Sequence, residues 1–443
     1  MSIVLGIIAE YNPFHNGHLY HLDTSKKVTG CDYTVAIISG NFTQRGSTSV
    51  VDKWSKTKMV LQNGVDLVIE LPVLYSISSS ENFADGAIKI LNSLGIIDYL
   101  SFGSETPDII VLDSIADILC NEPKDYKKLL ATELDKGLSF PKARENALLD
   151  YIKNTNTFEN DKQDFEEYKK ALSSPNNILG IEYLKALKKY NSSIKPVCIS
   201  RFATDYNSTD LSKIDIPTSD CNIENCNLKT FASATAIREL IKNKDFNSIK
   251  TVIPENSYSV LMDCIKSGHI VPDLNCFEKE IIYTLRKMSI EKIADLPDVS
   301  EGLEYSIKKA ANSCNTINEF LNIVKSKRYT VTRLQRILLY ALLNISKEDM
   351  QLSKQVEMPY VRVLGFNDNG KKFISEIATK HPELKIITSV KKFIDTNSDK
   401  DLQVLFDKDV LATDVYSLAF ENNSLANLDF KNGVIKYKKW TIL

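Results

Sequence analysis

In the first half of the chain, apolar positions fall into short, nearly continuous runs set between segments of helical period. The runs at residues 3–9, 33–39, 65–71, 99–103 and 194–199 predict strands. One of them, Val35-Ala36-Ile37-Ile38, lacks any polar alternation, which suits a strand covered on both faces. Between them, 17–28, 53–62, 81–94, 109–120 and 177–190 carry the 3.6-residue period of helices. This alternation predicts an α/β fold with a parallel, doubly wound, Rossmann-like sheet, whose ligands bind beyond the C-terminal ends of the strands. From about Val252 the pattern becomes mainly helical, with helices predicted over 277–288, 301–312, 315–324 and 332–343. A strand-like piece at 360–364 precedes Gly365-Phe366-Asn367-Asp368-Asn369-Gly370 and a helix from Lys371, and the polar stretch 391–401 reads as a loose loop. The change of pattern predicts one domain over 1–252 and a mainly α-helical one over 253–443.

With 443 residues the chain has room for about two or three domains. A hydrophobic fraction of 43% and a charged fraction of 25% are those of a globular protein. The net charge of −2 provides no global basic field, so any nucleic acid must be met by local patches. No run approaches the ~20 apolar residues of a membrane span. The apolar N-terminus lacks a basic lead and runs into Glu10, which argues against a signal peptide. The 8 cysteines contain no C-x-x-C, which predicts reduced thiols, a cytoplasmic location and no zinc site.

Chemistry concentrates at predicted strand ends. Three of the 5 histidines, His15, His18 and His21, follow the first strand, and His15-Asn16-Gly17-His18 opens a helix. A helix N-terminus offers unpaired N–H groups and partial positive charge to phosphate. Gly17 lets backbone approach closely, and the histidines can donate hydrogen bonds to phosphoryl oxygens as charge builds. A plain helix start without chemistry is the alternative. After the second strand, Ser39-Gly40-Asn41-Phe42-Thr43-Gln44-Arg45-Gly46 offers amides from Asn41 and Gln44 and a planar fork from Arg45. In Asp52-Lys53-Trp54-Ser55-Lys56, both lysines fit a solvated face as well as a ligand role. Gly103-Ser104-Glu105 ends the fourth strand, where a glycine lets a ring lie on the backbone. Asn176 and Asn177 sit at a helix start and Arg201 follows the fifth strand. Ser233 reads as an N-cap, with Thr235 and Arg238 in the first turns after it. In the helical half, Lys325, Lys327, Arg328, Tyr329, Arg333 and Arg336 form a dense basic patch suited to phosphates and base stacking, or to a solvated face.

An H-x-G-H tetrad after the first strand, paired with S-x-T-x-x-R near the end of the domain, resembles the nucleotidyltransferase superfamily. Within it the chain is similar to the bacterial tRNA(Met) cytidine acetate ligase family. The resemblance runs through GIIAEYNPFHNGH, SGNFTQRG, DLVIELP, FADGA, FGSE, PNNILGIEY, SATAIR, SKRYTVTRLQR and VRVLGFNDNG. It implies an enzyme that activates acetate with ATP, accompanied by Mg²⁺, and acetylates the wobble cytidine of elongator tRNA(Met). It implies ATP binding by Ile7-Ile8-Ala9-Glu10-Tyr11-Asn12-Pro13-Phe14-His15-Asn16-Gly17-His18-Leu19-Tyr20, Gly103, Asn176 (or Asn177) and Arg201, with Ser233 and Thr235 on the phosphates. His15, His18 and Arg238 are the expected catalytic residues. Asn41, Gln44 and Arg45 are expected to face acetate or RNA, and the basic patch to face tRNA. No carboxylate cluster marks Mg²⁺ ligands. The sequence departs from the family's R-x-G-A-x-Y-H after the fifth strand, reading Arg201-Phe202-Ala203-Thr204-Asp205-Tyr206-Asn207. A small-molecule adenylyltransferase and a non-catalytic RNA-binding protein are the alternatives, against which the extra helical half and the intact tetrad respectively argue.

Overall fold

The computed structural model describes residues 2–106, 108–155, 163–201, 231–300, 302–326, 328–421 and 425–438, with the backbone alone at 163–164. Its centre is a sheet of β1 (Val4–Ala9), β2 (Tyr33–Ser39), β3 (Leu67–Leu71), β4 (Tyr99–Ser104), β5 (Lys195–Ser200), β6 (Val361–Phe366), β7 (Ile386–Ile387) and β8 (Ile435–Lys436). The order is β5-β4-β1-β2-β3-β6-β7, with β8 also paired to β6. The first five strands are parallel, as their uninterrupted apolar runs predict, and β6 joins β3 antiparallel. Alternate residues of each strand feed two cores. Val4, Ile8, Val35, Ile37, Leu67 and Ile69 enter one, and Leu5, Ile7, Ala36, Ile38 and Val68 the other. β1 has β2 on one side and β4 on the other, so the strand order reverses beside it. The crevice at the C-terminal ends of β1 and β4 is where such a fold binds ligands.

Helices form where period and caps coincide. Helix α1 (Asn16–Thr29) starts at the His15 cap and ends at Gly30, whose φ of 61° suits glycine. Helix α2 (Lys53–Gln62) starts at Asp52, whose carboxylate accepts from the Trp54 and Ser55 amides. The segment between the fourth and fifth strands holds helices over Lys124–Asp135 and Phe140–Thr155 that the apolar pattern did not announce.

One expectation changes. The stretch 391–401 is not a loose loop: it lies in the helix Val390–Thr396 and the start of Lys400–Ser417, which Ser389 and Asp399 cap. Its polar residues are the exposed side of helices whose Phe393, Leu402, Leu405 and Phe406 are buried. The sheet also draws β6, β7 and β8 from beyond residue 252, and one core cluster takes residues from both halves of the chain.

Candidate active site

After Ala9 the chain turns sharply into α1. Tyr11 adopts a φ of 46°, a left-handed conformation rare for a bulky residue. It lays its ring edge-on to His18 at 4.9 Å. His15 is the N-cap: its Nδ1 accepts the Gly17 N–H at 3.1 Å, and His18 Nδ1 accepts the His15 N–H at 3.2 Å. This is a capping box built from two imidazoles, with rings stacked 3.7 Å apart. With each Nδ1 acting as an acceptor, the neutral rings carry their proton on Nε2. A Cβ on Gly17 would lie 2.9 Å from the His15 ring, so glycine is what lets the imidazole sit there.

Burial, followed by the nearby Arg201 and Arg238 charges, pushes His15 down to about 3. Burial, then His15 and Arg201, hold His18 well below its ordinary value. Burial and Arg201 bring His21 to about 4. All three are therefore neutral near pH 7.

The tetrad opens onto a cleft of about 610 Å³. Of the segment from Ile7 to Tyr20, the cleft wall takes all but Pro13, Phe14, Asn16 and Leu19. Phe14 is core, Leu19 packs against it, Pro13 is buried in the turn, and Asn16 donates to the Thr251 carbonyl at 3.0 Å. On the β4 side, Gly103 lies under the Arg201 stem, where a Cβ would come 3.1 Å from the Arg201 Cγ. Arg201 donates to Asn176 Oδ1 at 3.1 Å, and Asn176 donates to Glu105. Asn177 instead is fully buried and accepts the Glu105 N–H at 2.9 Å, shaping the end of β4. Asn176 is thus the asparagine on the cleft.

The helix Ala234–Lys242 points its start at the same space. Ser233 Oγ accepts the Ala236 N–H at 3.1 Å, and Ser233, Thr235 and Arg238 line the cleft. Arg238 donates to the Asn12 carbonyl at 3.2 Å and to Thr235 Oγ1 at 3.0 Å, which ties that helix to the turn after β1. Free amides at a helix start beside an arginine suit phosphate.

Gln44 and Arg45 also line the cleft, and the Gln44 N–H donates to Glu10 Oε1 at 2.7 Å. Asn41, expected on the acetate or RNA side, is not on the cleft wall: it is buried, accepting the Lys53 N–H at 2.9 Å and donating to Thr413 Oγ1 at 3.3 Å. Lys53 and Lys56 are neither solvated nor on the cleft. Lys53 pairs with Glu70 at 3.0 Å and Asp429 at 2.8 Å, and Lys56 donates to the Ser39 and Gly40 carbonyls at 2.9 Å. Burial lowers Lys56 to about 8.

The basic patch divides. Lys325 and Arg328 are exposed, and Lys327 lies outside the described residues, as do Phe202 to Asn207. Arg333 donates to the Asp298 carbonyl at 2.6 Å and sits 5.0 Å over the Tyr329 ring. Arg336 is buried, pairs with Asp298 at 2.9 Å and lines the same cleft with Thr330 and Thr332. The start of the helix Val331–Leu342 therefore reaches the cleft that the first half builds. Gly46 (φ 75°) packs on its backbone so tightly that a Cβ would stand 2.5 Å from the Arg336 nitrogen. His21, noted in the sequence beside the tetrad but given no site role, lines the cleft with its Nε2 3.1 Å from Ser101 Oγ. Sequence reasoning left out the apolar wall of Phe83, Phe102, Ile178, Leu179 and Tyr183, residues that in sequence look like core.

The sequence profile of the HIGH Nucleotidyl Transferase family matches residues 1–429. A tRNA(Met) cytidine acetate ligase of Thermoanaerobacter sp. (strain X514) is 45% identical over 434 residues, spanning 98% of this chain and 99% of that protein. The chain belongs to the tRNA(Met) cytidine acetate ligase family. A second member, from Clostridium perfringens (strain SM101), is 40% identical across 94% of both chains. The crystal structure of Thermotoga maritima TmcAL in its apo form I superposes with a TM-score of 0.89 at 33% identity, covering 99% of this chain and 100% of that one. TmcAL bound with alpha-thio ATP superposes with a TM-score of 0.86, at the same identity and coverage. The family's fold thus spans both halves of this chain. Among the described residues no helix is long and apolar enough to cross a membrane.

Proposed function

We propose that this chain is an ATP-dependent acetate ligase that acetylates the N4 amine of the wobble cytidine of elongator tRNA(Met), giving N4-acetylcytidine, AMP and pyrophosphate. The observation that carries the reading is the meeting of the stacked His15 and His18 with Arg201, Arg238 and the Ser233 helix start around one cleft. Acetate is a poor acyl donor, so an acetate oxygen first attacks the α-phosphorus of ATP and pyrophosphate leaves. The cytidine amine then attacks the acyl carbon of acetyl-adenylate and AMP leaves. Neither step needs a covalent enzyme nucleophile. Both need orientation and donors aimed at developing negative charge. His15 and His18 supply Nε2–H, Arg238, Ser233 and Thr235 hold phosphate oxygens, and Gly103, Asn176 and Arg201 hold the nucleoside end. Gln44 and Arg45 take the acetate or RNA side.

In the same reading, 1–252 holds the nucleotide and 253–443 supplies the tRNA side through Lys325, Arg328 and their neighbours, in the cytoplasm where the tRNA is. Mg²⁺ accompanies ATP. Among the described residues no three ligating side chains gather to hold a cation, so we assign it no protein ligand and no step.

The test is acetate-dependent exchange of labelled pyrophosphate into ATP, followed by transfer of labelled acetate to tRNA with the wobble nucleoside identified by mass spectrometry. Exchange that ignores acetate would overturn the reading in favour of a small-molecule adenylyltransferase. Absence of any exchange would leave an RNA-binding protein with a nucleotide fold.

A further inference from the structure

Among the described residues, Glu10 is the one carboxylate in the cleft wall, which also holds Arg45, Arg201, Arg238 and Arg336. A triphosphate and an acetate gain nothing from a negative neighbour; this carboxylate accepts the Gln44 N–H, stands near the charge of the buried Lys56, and still lines the cleft. Building on the acetate-ligase reading, we infer that Glu10 serves the second step: its carboxylate receives the N4 amine of the target cytidine and takes the proton the amine loses.

Position supports this. Glu10 stands at the end of β1, with β4 and β5 on one side and β2 on the other. Gly103, Asn176 and Arg201 occupy the β4 and β5 side. Glu10 instead accepts from the Gln44 backbone in the loop after β2. That loop is anchored by Gln44 Nε2 on the Ser78 carbonyl at 3.1 Å and abuts the Arg336 backbone at Gly46. The carboxylate therefore lies beside the loop that packs on the helix Val331–Leu342, with Arg328 just before that helix. Thr330, Thr332 and Arg336 from that helix and its start line the same cleft as Glu10.

Chemistry supports it too. The cytidine N4 lone pair is delocalised into the ring, so the amine is a weak nucleophile that becomes acidic only as its bond to the acyl carbon forms. Carboxylates are the side chains that accept from cytosine N4. In the step, the N4–C bond forms and the bond between the acyl carbon and the phosphate oxygen breaks. AMP leaves with that electron pair, and the N4 proton passes to Glu10 and then to water. The uncharged Nε2–H groups of His15 and His18 have no free ring nitrogen for this proton, since each Nδ1 already accepts a backbone N–H.

The test uses the full chain with Glu10→Gln, whose amide oxygen can still accept the Gln44 N–H, and with Glu10→Asp. Acetate-dependent pyrophosphate exchange and single-turnover transfer from enzyme-held acetyl-adenylate to tRNA are measured on each variant, with thermal unfolding as a fold control. Loss of a proton acceptor is worth about 10²–10⁴ in rate. Transfer by Glu10→Gln is expected to fall by about that much and exchange by at least tenfold less, with partial recovery in Glu10→Asp. Equal losses in both steps, undiminished transfer, or a raised Mg²⁺ requirement for exchange would each overturn the role of Glu10. A wild-type chain that transfers no acetate would overturn the underlying reading and the inference together.

Discussion

A histidine that caps a helix through Nδ1 commits that nitrogen to the backbone and has only Nε2 left to offer. Both His15 and His18 are in this state, held by stacking and by Tyr11 and Phe14. Removing one such donor should cost about 10²–10³ in rate if it acts in the transition state. His18→Ala should therefore lose acetate-dependent pyrophosphate exchange by that factor while tRNA affinity stays near wild type. Near-normal exchange would remove His18 from the chemistry. The same burial makes the site acid-sensitive. The folded-state values of His15 (about 3) and His21 (about 4), and the strongly lowered His18, all lie below the ~6.5 of an unfolded histidine. Between those limits the unfolded chain binds more protons, so the stability these groups leave intact above about pH 6.5 is lost as pH falls toward their folded values. Denaturant unfolding at pH 6.5 and 4.5 should show a drop of several kcal/mol at the lower pH, reduced by about 2 kcal/mol in His21→Gln. Identical pH curves for the two proteins would contradict the assigned burial.

The element that most changes in meaning once folded is the helix Val331–Leu342. In sequence its start and the residues before it are one basic patch; in space the patch divides. Arg336 and Arg333 bind Asp298, and Lys325 and Arg328 are exposed. Substituting Lys325 and Arg328 by alanine should weaken tRNA binding and flatten its salt dependence, while acetyl-adenylate formation survives. The log–log slope should change by about 0.7–0.9 for each phosphate that the protein no longer neutralises. A salt-dependent tRNA titration beside a tRNA-free exchange assay checks this. Unaltered affinity at every salt concentration would return these residues to a solvated face. The elements of the first half were easier to read, because their signals are local. Strands announced themselves by nearly continuous apolar runs, and the helix after Ser233 by its cap. Helices such as Lys124–Asp135 were missed because their sparse apolar residues, Tyr126 among them, make only a thin buried face.

At the scale of the whole molecule, a buried charge cluster joins the two halves. Lys53 and Arg362 share Glu70 and Asp429, and Tyr360 donates to Asp409, which also accepts the Val73 N–H at 2.6 Å. Burial and Glu70 raise the Asp409 carboxyl. Burial alone would raise Asp429 too, but Lys53 and Arg362 more than offset it and hold that carboxyl below its usual range. Breaking a buried ion pair costs about 3–5 kcal/mol because a charge is left uncompensated. Arg362→Met should destabilise the chain by that order, measured by urea unfolding, and a loss below about 1 kcal/mol would show that the cluster relaxes around the gap.

By itself the sequence determined the parallel strands, the helix starts and the tetrad's place after β1, because periodicity and capping act over a few residues. It also carried enough ordered motifs to point to the family. Only the tertiary structure decided that Asn176 rather than Asn177 meets the cleft, that Asn41 is a brace, and that Lys53 and Lys56 are buried. The same is true of β6 closing on β3 and of Arg336 reaching the cleft beside the tetrad. Each of these depends on a partner brought near by long-range pairing. A lysine with a buried carboxylate partner and a lysine in water have the same local pattern, and they differ only in what the rest of the chain places beside them.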